Sequence, residues 1–222
     1  MPNWTYNEVI IKGEKETLRE IIAKVSGKDE KIDFNLIVPM PETMNVSVNN
    51  YEDDNLRYYC LSSGKEMPEA KGGFVFCLQV SGEPYTLAEY QAFAKEHPDL
   101  LSLKEGKKIY TNLTQYGYKD WYEWRNKHWG TKWNACEPAP FTVRSDKEIF
   151  SAFDTAWNAP YPVIEALSKM FPSVTISMSS TYEEGFEERT VYQDGKEIMF
   201  EKIEHDEEFD YNEDEDAFFG IE

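Results

Sequence analysis

The sequence lacks four features that would each point to a class of function. No hydrophobic run approaches the roughly 18 apolar residues that a membrane-spanning helix needs. The three cysteines, Cys60, Cys77 and Cys136, are widely spaced without a CxxC pair, so neither a disulfide framework nor a thiolate zinc site is indicated. The three histidines show no HExxH spacing, and no glycine-rich phosphate loop is present. We therefore predict no metal site and no cofactor.

Basic residues are also scarce, with 23 Lys and Arg against 42 Asp and Glu and a formal net charge of -19. Ten of these acids lie in residues 204–222, which contain no Lys or Arg; this stretch is called the acidic tail below, and we expect it to be flexible. A strongly acidic chain repels phosphate backbones. We therefore expect no direct nucleic-acid binding and no membrane binding. The start, MPNWTYNEV, does not resemble a secretory signal, which favours a cytoplasmic protein.

Hydrophobic periodicity and turn residues predict a repeated pattern of strands and helices. At 222 residues the chain is long enough to bury one sizeable core, and 15% of its residues are aromatic. The Asp194-Gly195 pair is a strong hairpin signal. Predicted strands cover 5–12, 132–137, 148–156 and 173–180, predicted helices cover 14–26 and 160–171, and the hairpin covers 187–201.

This order predicts an α+β fold, a ferredoxin-like split β-α-β sandwich with a large insertion in the first crossover and a C-terminal hairpin. We predict a single ferredoxin-like domain over 1–203, with an inserted subdomain of about 39–130. Within the insertion, Thr86 is the expected N-cap of an amphipathic helix over 86–97. Residues 74–80 are a predicted strand, 55–62 fit a helix or a strand, and 106–108 belong to a predicted polar linker. Residues 31–41 are expected to be extended.

Four of the six tryptophans lie in one short stretch, Asp120 to Ala135, DWYEWRNKHWGTKWNA. On a helix over 119–129, Trp121, Trp124 and His128 share one face. Aromatic residues at this spacing are most often core, and a ligand-stacking platform is the functional alternative. The segment after the helix restarts the predicted sheet. If strand 132–137 pairs with strand 148–156, polar residues come close to the helix.

The residues of that polar group are Arg125, His128, Lys132, Asn134 and Asp154. Asp154 and His128 are the candidates for acid-base catalysis. A plainer interpretation gives Asp154 a structural role, either as an acceptor for buried donors or as the partner of Arg125.

Four short segments occur in order: MPNW with Asn7, DFNLIVPMP at 33–41, WGTKWNA at 129–135, and FDTAWNAPYPVIEALSKMFP at 153–172. Together they resemble the YubB-type ferredoxin-like family. That family consists of small proteins found mainly on phages, plasmids and integrative elements, without an assigned molecular function. The resemblance implies the fold and a mobile-element setting, and it implies no catalytic residues. It does not extend to the excursion over 45–115 or to the acidic tail.

The leading hypothesis is a non-enzymatic accessory protein of a mobile genetic element that acts by protein-protein contact through an aromatic surface or through its acidic surface and tail, with a basic host protein as the partner. One alternative is a small enzyme or ligand-binding protein that uses a cleft between the insertion and the sheet. Another is an acidic nucleic-acid mimic that inhibits a host factor. The residues expected on the ligand or partner surface are Trp121, Trp124, Arg125, Lys132, Phe209 and Tyr211.

Overall fold

The computed structural model describes residues 3–27, 30–48, 50–68, 79–80 and 83–204. The chain forms two compact units. One comprises Met1–Ile37 and Trp133–Glu222 and is called the ferredoxin-like unit; the other, Val38–Lys132, is called the inserted unit. No helix among the described residues has both the length and the apolar character needed to cross a bilayer.

The ferredoxin-like unit is built on a six-stranded antiparallel sheet of order β4-β5-β1-β6-β7-β8. The first four positions of this order are those of a split β-α-β fold, and the β7–β8 hairpin extends the sheet beyond β6. The predicted fold class is therefore confirmed. Its strands are β1 (Trp4–Lys12), β4 (Thr142–Ser145), β5 (Glu148–Ala156), β6 (Thr175–Tyr182), β7 (Phe186–Gln193) and β8 (Lys196–Glu204), and its helices are α1 (Lys15–Val25), α2 (Phe34–Ile37) and α7 (Tyr161–Met170).

Strand register places a cluster of apolar side chains of the central strands on one face. Val9 lies opposite Met178, and Ile11 lies opposite both Ile149 and Ile176, and each of these side chains is at most 1% exposed. Helix α1 packs against β5, and α7 packs against β6, β7 and β8. The helices bury Leu18, Ile21, Val25, Val163, Ile164 and Leu167. Alternation along the strands and three-to-four spacing along the helices thus produce one core.

Two sequence predictions for this unit are wrong in detail. The predicted strand 132–137 is absent; Cys136 forms only an isolated bridge to Asp154, and the second strand of the fold is β4. The supposedly extended segment 31–41 contains α2. There the side-chain oxygen of Asp33 accepts a hydrogen bond from the Asn35 amide, and this local bond favours a helical turn over an extended chain. The Asp194-Gly195 turn between β7 and β8 is as predicted, with positive φ at both residues.

The inserted unit is mainly helical in its described part. Helices α3 and α5 pack together around Val46, Leu56, Cys60, Ile109 and Leu113. Its elements are a 3-10 turn (Glu42–Met44), α3 (Glu52–Ser63), β2 (Gln79–Val80), β3 (Glu83–Pro84), α4 (Leu87–Glu96), α5 (Leu103–Tyr116) and α6 (Trp121–His128). Most of the predicted strand 74–80 lies outside the described residues. The ambiguous stretch 55–62 is helical.

Helix α4 begins as predicted, because the Thr86 hydroxyl accepts from the Glu89 amide in a capping box. The predicted linker over 106–108 is wrong, since these residues lie inside α5. That helix begins at Ser102, whose hydroxyl accepts from the Glu105 amide at 3.2 Å. Gly106 and the lysines beside it suggested a loop, although Ser102 and Glu105 have the spacing of a capping box.

Candidate binding site on the tryptophan-rich helix

Helix α6 is fixed at both ends by local interactions. The Asp120 carboxylate accepts hydrogen bonds from the amides of Tyr122 and Glu123 at 2.8 and 2.9 Å. An aspartate at this position satisfies two amides that have no partner within the helix. Gly130 follows the helix with a φ of 78°, a conformation in which a glycine has no steric penalty. The predicted helix is therefore present, two residues shorter at its start and one residue shorter at its end.

The aromatic side chains of α6 separate into a buried group and a more exposed group. Trp124 is 5% exposed and Trp129 is 1% exposed. Trp124 stacks on His128 with ring centroids 4.4 Å apart, and the Trp129 indole donates to the Val38 carbonyl at 2.9 Å. These two tryptophans form core. Tyr122 is 42% exposed and Trp121 is half-buried, so the platform hypothesis is restricted to these two rings.

Arg125 lies over the rings of both Trp121 and Trp129. Its guanidinium carbon is 5.0 Å from the Trp121 ring centroid and 4.8 Å from that of Trp129. Each contact is a cation-π interaction, which weakly hydrated guanidinium groups form readily. The guanidinium is therefore packed against two aromatic rings, and no acidic partner among the described residues contributes to its position.

The Arg125 guanidinium forms no hydrogen bond or ion pair with any of the residues that the structure describes. Its Nε atom is buried without a partner, whereas the two Nη atoms are not among the buried unpartnered atoms. Burial lowers the pKa of Arg125 from its ordinary value, but a guanidinium remains charged in proteins. The result is an oriented cation with its outer edge accessible.

Some cations of the described chain have acidic partners, whereas Arg57 shares with Arg125 a buried Nε atom that has no hydrogen-bond partner. Arg189 bonds to Glu187, and the Lys119 amine lies 3.2 Å from Asp53. Unpartnered buried donors are rare in proteins, and each one calls for an explanation. The chain contains 42 carboxylates, so acidic groups are abundant overall. A ligand from outside the described chain could reach the Nη atoms of Arg125 but not its buried Nε atom.

The neighbours of Arg125 add positive charge and flat aromatic surface. Lys127 is exposed on the same helix, and the Lys132 amine lies 5.8 Å from the Tyr122 ring centroid. The basic residues of the last turn also interact favourably with the helix dipole. We call Trp121, Tyr122, Arg125 and Lys132 the α6 patch. Chemically, the patch suits a planar anion that is attached to an apolar or aromatic group.

The other predicted site residues are distributed over both units. Arg125, His128 and Lys132 belong to the inserted unit, and Asn134 and Asp154 belong to the ferredoxin-like unit. Asn134 has a local structural role, because its side chain accepts from the Phe34 amide and donates to Asp33. Phe209 and Tyr211 lie outside the described residues.

Among the described residues, the Asp154 side chain makes neither of the structural contacts suggested by its sequence context. Its backbone pairs with Cys136, but its carboxylate accepts no hydrogen bond and forms no ion pair within the described part of the chain. Burial raises its pKa, and the charge of Glu137 raises it further. The same surroundings, burial first and then Asp154 and Glu137, raise the pKa of the Cys136 thiol. The proposal of acid-base catalysis at Asp154 and His128 stays a prediction.

The arrangement around Arg125 was not recognised from the sequence, although the signal is present. Trp121, Arg125 and Trp129 are spaced by four, so the arginine follows one tryptophan and precedes another by about one helical turn. Sequence reasoning placed Arg125 on the expected ligand or partner surface, with Asp154 as an alternative partner, but did not predict that it stacks on Trp121 and Trp129. A Trp-x3-Arg-x3-Trp pattern on a short helix predicts a stacked guanidinium.

We expect His128 to make the stability of the protein depend on pH. Burial lowers the pKa of His128, and Lys127 lowers it further. The unfolded chain therefore takes up the proton first, near pH 6.5. The stabilisation is complete above that pH and is lost as the pH falls through the lower pKa of the folded state. The urea midpoint of the wild type should fall more between pH 7.5 and 5.5 than that of His128→Gln.

His97→Gln is the matched control for this experiment, since His97 ends a helix of the same unit. It removes an imidazole from the same unit and so shows how much of the change arises from any histidine substitution. An unchanged pH dependence in His128→Gln would contradict the assignment.

The fold and the site together define a ferredoxin-like α+β protein with an inserted helical unit that carries a cationic, aromatic patch. Residues 128–221 match a family model described as "Ferredoxin-like domain in Api92-like protein". The matched stretch begins at His128, the last residue of α6, and includes β4 to β8. Strand β1 and helix α1 precede it. The ferredoxin-like part of the sequence resemblance is thus supported, whereas the YubB-type name and the mobile-element setting stay predictions.

A solved structure, the protein api92 from Yersinia pseudotuberculosis, aligns with 93% of this chain and 99% of that chain. The sequences are 11% identical and the TM-score is 0.49. No curated protein matches the sequence.

Proposed function

We propose that this chain is a non-enzymatic binding protein whose α6 patch binds an acidic segment of a protein partner. The observation that supports the proposal is Arg125, an oriented guanidinium without an acidic partner among the described residues. A carboxylate that reached its Nη atoms would form two parallel hydrogen bonds. Trp121 and Tyr122 would contact apolar groups beside that carboxylate.

The proposed partner differs in charge from the basic host protein predicted from the overall acidity. Overall charge describes long-range attraction, which salt screens, whereas a binding site is defined by the groups at the contact. The α6 patch is locally cationic, so it selects a segment that carries carboxylates. A basic partner for the acidic tail is a separate prediction that concerns residues outside the described part.

The setting of this function is proposed from the sequence. The resemblance to the YubB-type family supports an accessory role on a mobile genetic element. The described cysteines, Cys60 and Cys136, are both free thiols, and this supports a cytoplasmic location.

Replacing Arg125 with alanine should weaken binding of an acidic aromatic peptide by about tenfold or more, because one charge-assisted hydrogen bond contributes roughly 1.5–3 kcal/mol. The probe is a fluorescein-labelled peptide of Glu-Glu-Phe repeats, titrated at low salt and followed by fluorescence anisotropy. Arg125→Lys should lie between the wild type and Arg125→Ala, because lysine keeps the charge and loses the planar fork. A Lys-Lys-Phe peptide should not bind at this site.

Lys95→Ala is the matched control, since Lys95 is an exposed cation in the last turn of α4 in the same unit. It removes the same charge away from the patch and should change affinity less than about twofold. Equal losses in Lys95→Ala and Arg125→Ala would mean non-specific attraction. An unchanged affinity in Arg125→Ala would reject the patch as the binding site.

A further inference from the structure

The chemistry of the α6 patch defines its ligand more narrowly than its charge alone. The guanidinium edge of Arg125 suits a bidentate oxyanion, and in a protein segment that group is a carboxylate. Tyr122, which is 42% exposed, and the half-buried Trp121 offer ring faces within the same patch. Lys127 and Lys132 add two further cations. A matching segment therefore has closely spaced carboxylates, aromatic residues between them and no cation of its own.

One segment of this protein has that composition. The acidic tail carries ten of the 42 acidic residues of the chain and no Lys or Arg. Phe209 and Tyr211 interrupt its first run of acids, and Phe218 and Phe219 follow the second. The rest of the chain is much less acidic, since residues 1–203 contain 32 acids against 23 bases. Charge and aromatic content thus both distinguish the tail as the complement of the patch.

The tail also begins at a place where another molecule has access to it. Strand β8 is the last strand of the six-stranded sheet, so it lies at an edge, and it ends at Glu204. Most of its side chains are exposed, including Ile198 and Phe200 at 58% and 51%. Lys196, Lys202 and the register shift opposite Val191 and Tyr192 discourage a further strand from pairing at this edge. Side-chain contacts made by the tail are therefore a more suitable means of association than sheet extension.

We infer that the acidic partner of the α6 patch is the acidic tail of a second copy of this chain, an inference that rests on the proposed function. Each copy has one patch and one tail. Reciprocal docking therefore closes a symmetric dimer without leaving a free site. The carboxylates of the tail satisfy Arg125, and its aromatic side chains contact Trp121 and Tyr122. The high negative charge of both copies opposes association, so the contact at the patch must be specific.

Sedimentation velocity over a concentration series tests this inference on the full chain, on a chain ending at residue 203, and on Arg125→Ala. The full chain should form a dimer. The shortened chain lacks the tail and Arg125→Ala lacks the patch, so each should associate at least about tenfold more weakly. Lys95→Ala should dimerise like the wild type.

Mixing the two defective proteins is the decisive measurement. The Arg125→Ala protein retains a tail, and the shortened protein retains a patch, so together they should form a heterodimer that neither forms alone. Formation of the heterodimer would itself show that both variants are folded, because each must supply a working half, and circular dichroism of each variant alone establishes folding where no heterodimer forms. Absence of the heterodimer, or unchanged dimerisation of the shortened chain, would overturn the inference.

The peptide titration separates failure of this inference from failure of the proposed function. If the Glu-Glu-Phe peptide binds in an Arg125-dependent manner while the full chain stays monomeric, the patch binds acidic segments and the second copy is not its partner. If neither binding nor dimerisation depends on Arg125, both proposals fail. A tail-dependent change in tryptophan fluorescence that is independent of protein concentration would assign the tail to its own patch and would also reject the second copy.

Discussion

Replacing Gly106 with alanine is expected to destabilise the protein by about 3 kcal/mol. A Cβ atom at this position would lie 2.0 Å from the Asn55 carbonyl oxygen and 2.7 Å from the Tyr59 Cβ atom. Asn55 is held in place by side-chain bonds to the Tyr51 and Leu100 carbonyls and from the Ser102 amide. The obstructing atom is backbone, so relief requires α3 and α5 to separate and their shared core to loosen.

The sign of this effect is informative because alanine favours helices by about 1 kcal/mol relative to glycine. Without the close contact, the substitution would therefore stabilise α5. Gly64→Ala is the control: Gly64 has a φ of 67°, and a Cβ atom added there would meet no other atom within 4 Å, so only backbone strain of about 1 kcal/mol applies. Urea unfolding measures both variants. A neutral or stabilising effect of Gly106→Ala would contradict the helix contact.

Gly106 also illustrates why the inserted unit was harder to predict than the ferredoxin-like unit. In the sheet, Ile176 and Met178 alternate with serines and Val9 to Ile11 form an apolar β-branched run, and these local patterns are sufficient to assign strands. A glycine beside two lysines has the composition of a loop. Gly106 is nevertheless helical, and the glycine is explained by a close contact with α3. A contact between residues far apart in the chain leaves no signal in the local sequence pattern. The displaced second strand has a similar cause, because the short and fully exposed β4 has no apolar alternation.

In the candidate site, too, local features could be predicted from the sequence and non-local contacts could not. Spacing on a helix could predict that Trp121, Trp124 and His128 share a face, and their placement on α6 follows from capping by Asp120. It could not predict which rings are buried, because Trp124 and Trp129 are covered through tertiary contacts such as the bond to the Val38 carbonyl. Whether Arg125 finds an acidic partner is also a non-local property. The sequence shows Arg125 and the aromatic residues near it. Only the tertiary structure determines whether a carboxylate lies beside the guanidinium.

Replacing Asn7 with alanine is expected to destabilise the ferredoxin-like unit by about 3 kcal/mol. Asn7 is fully buried in β1, and its amide nitrogen lies within 2.9 to 3.2 Å of the Thr5 and Phe153 carbonyls and the Thr155 hydroxyl. Its side-chain oxygen accepts from the Ser180 hydroxyl at 2.9 Å. Alanine removes these bonds and leaves the Ser180 donor unsatisfied inside the core, where each such loss costs roughly 1–3 kcal/mol. Asn158→Ala, at an exposed position beyond β5, should have little effect.

A double-mutant cycle with Ser180→Ala tests whether these groups act as one network. Ser180→Ala alone leaves the Asn7 oxygen unsatisfied, whereas the double variant removes both members of the pair. The double variant should therefore be more stable than the sum of the single losses predicts, by about 1 kcal/mol. Chemical denaturation of the four proteins measures this coupling. Strictly additive losses would mean that Asn7 and Ser180 contribute independently, and the polar group that joins β1 to β5 and β6 would then not be a cooperative element of the sheet.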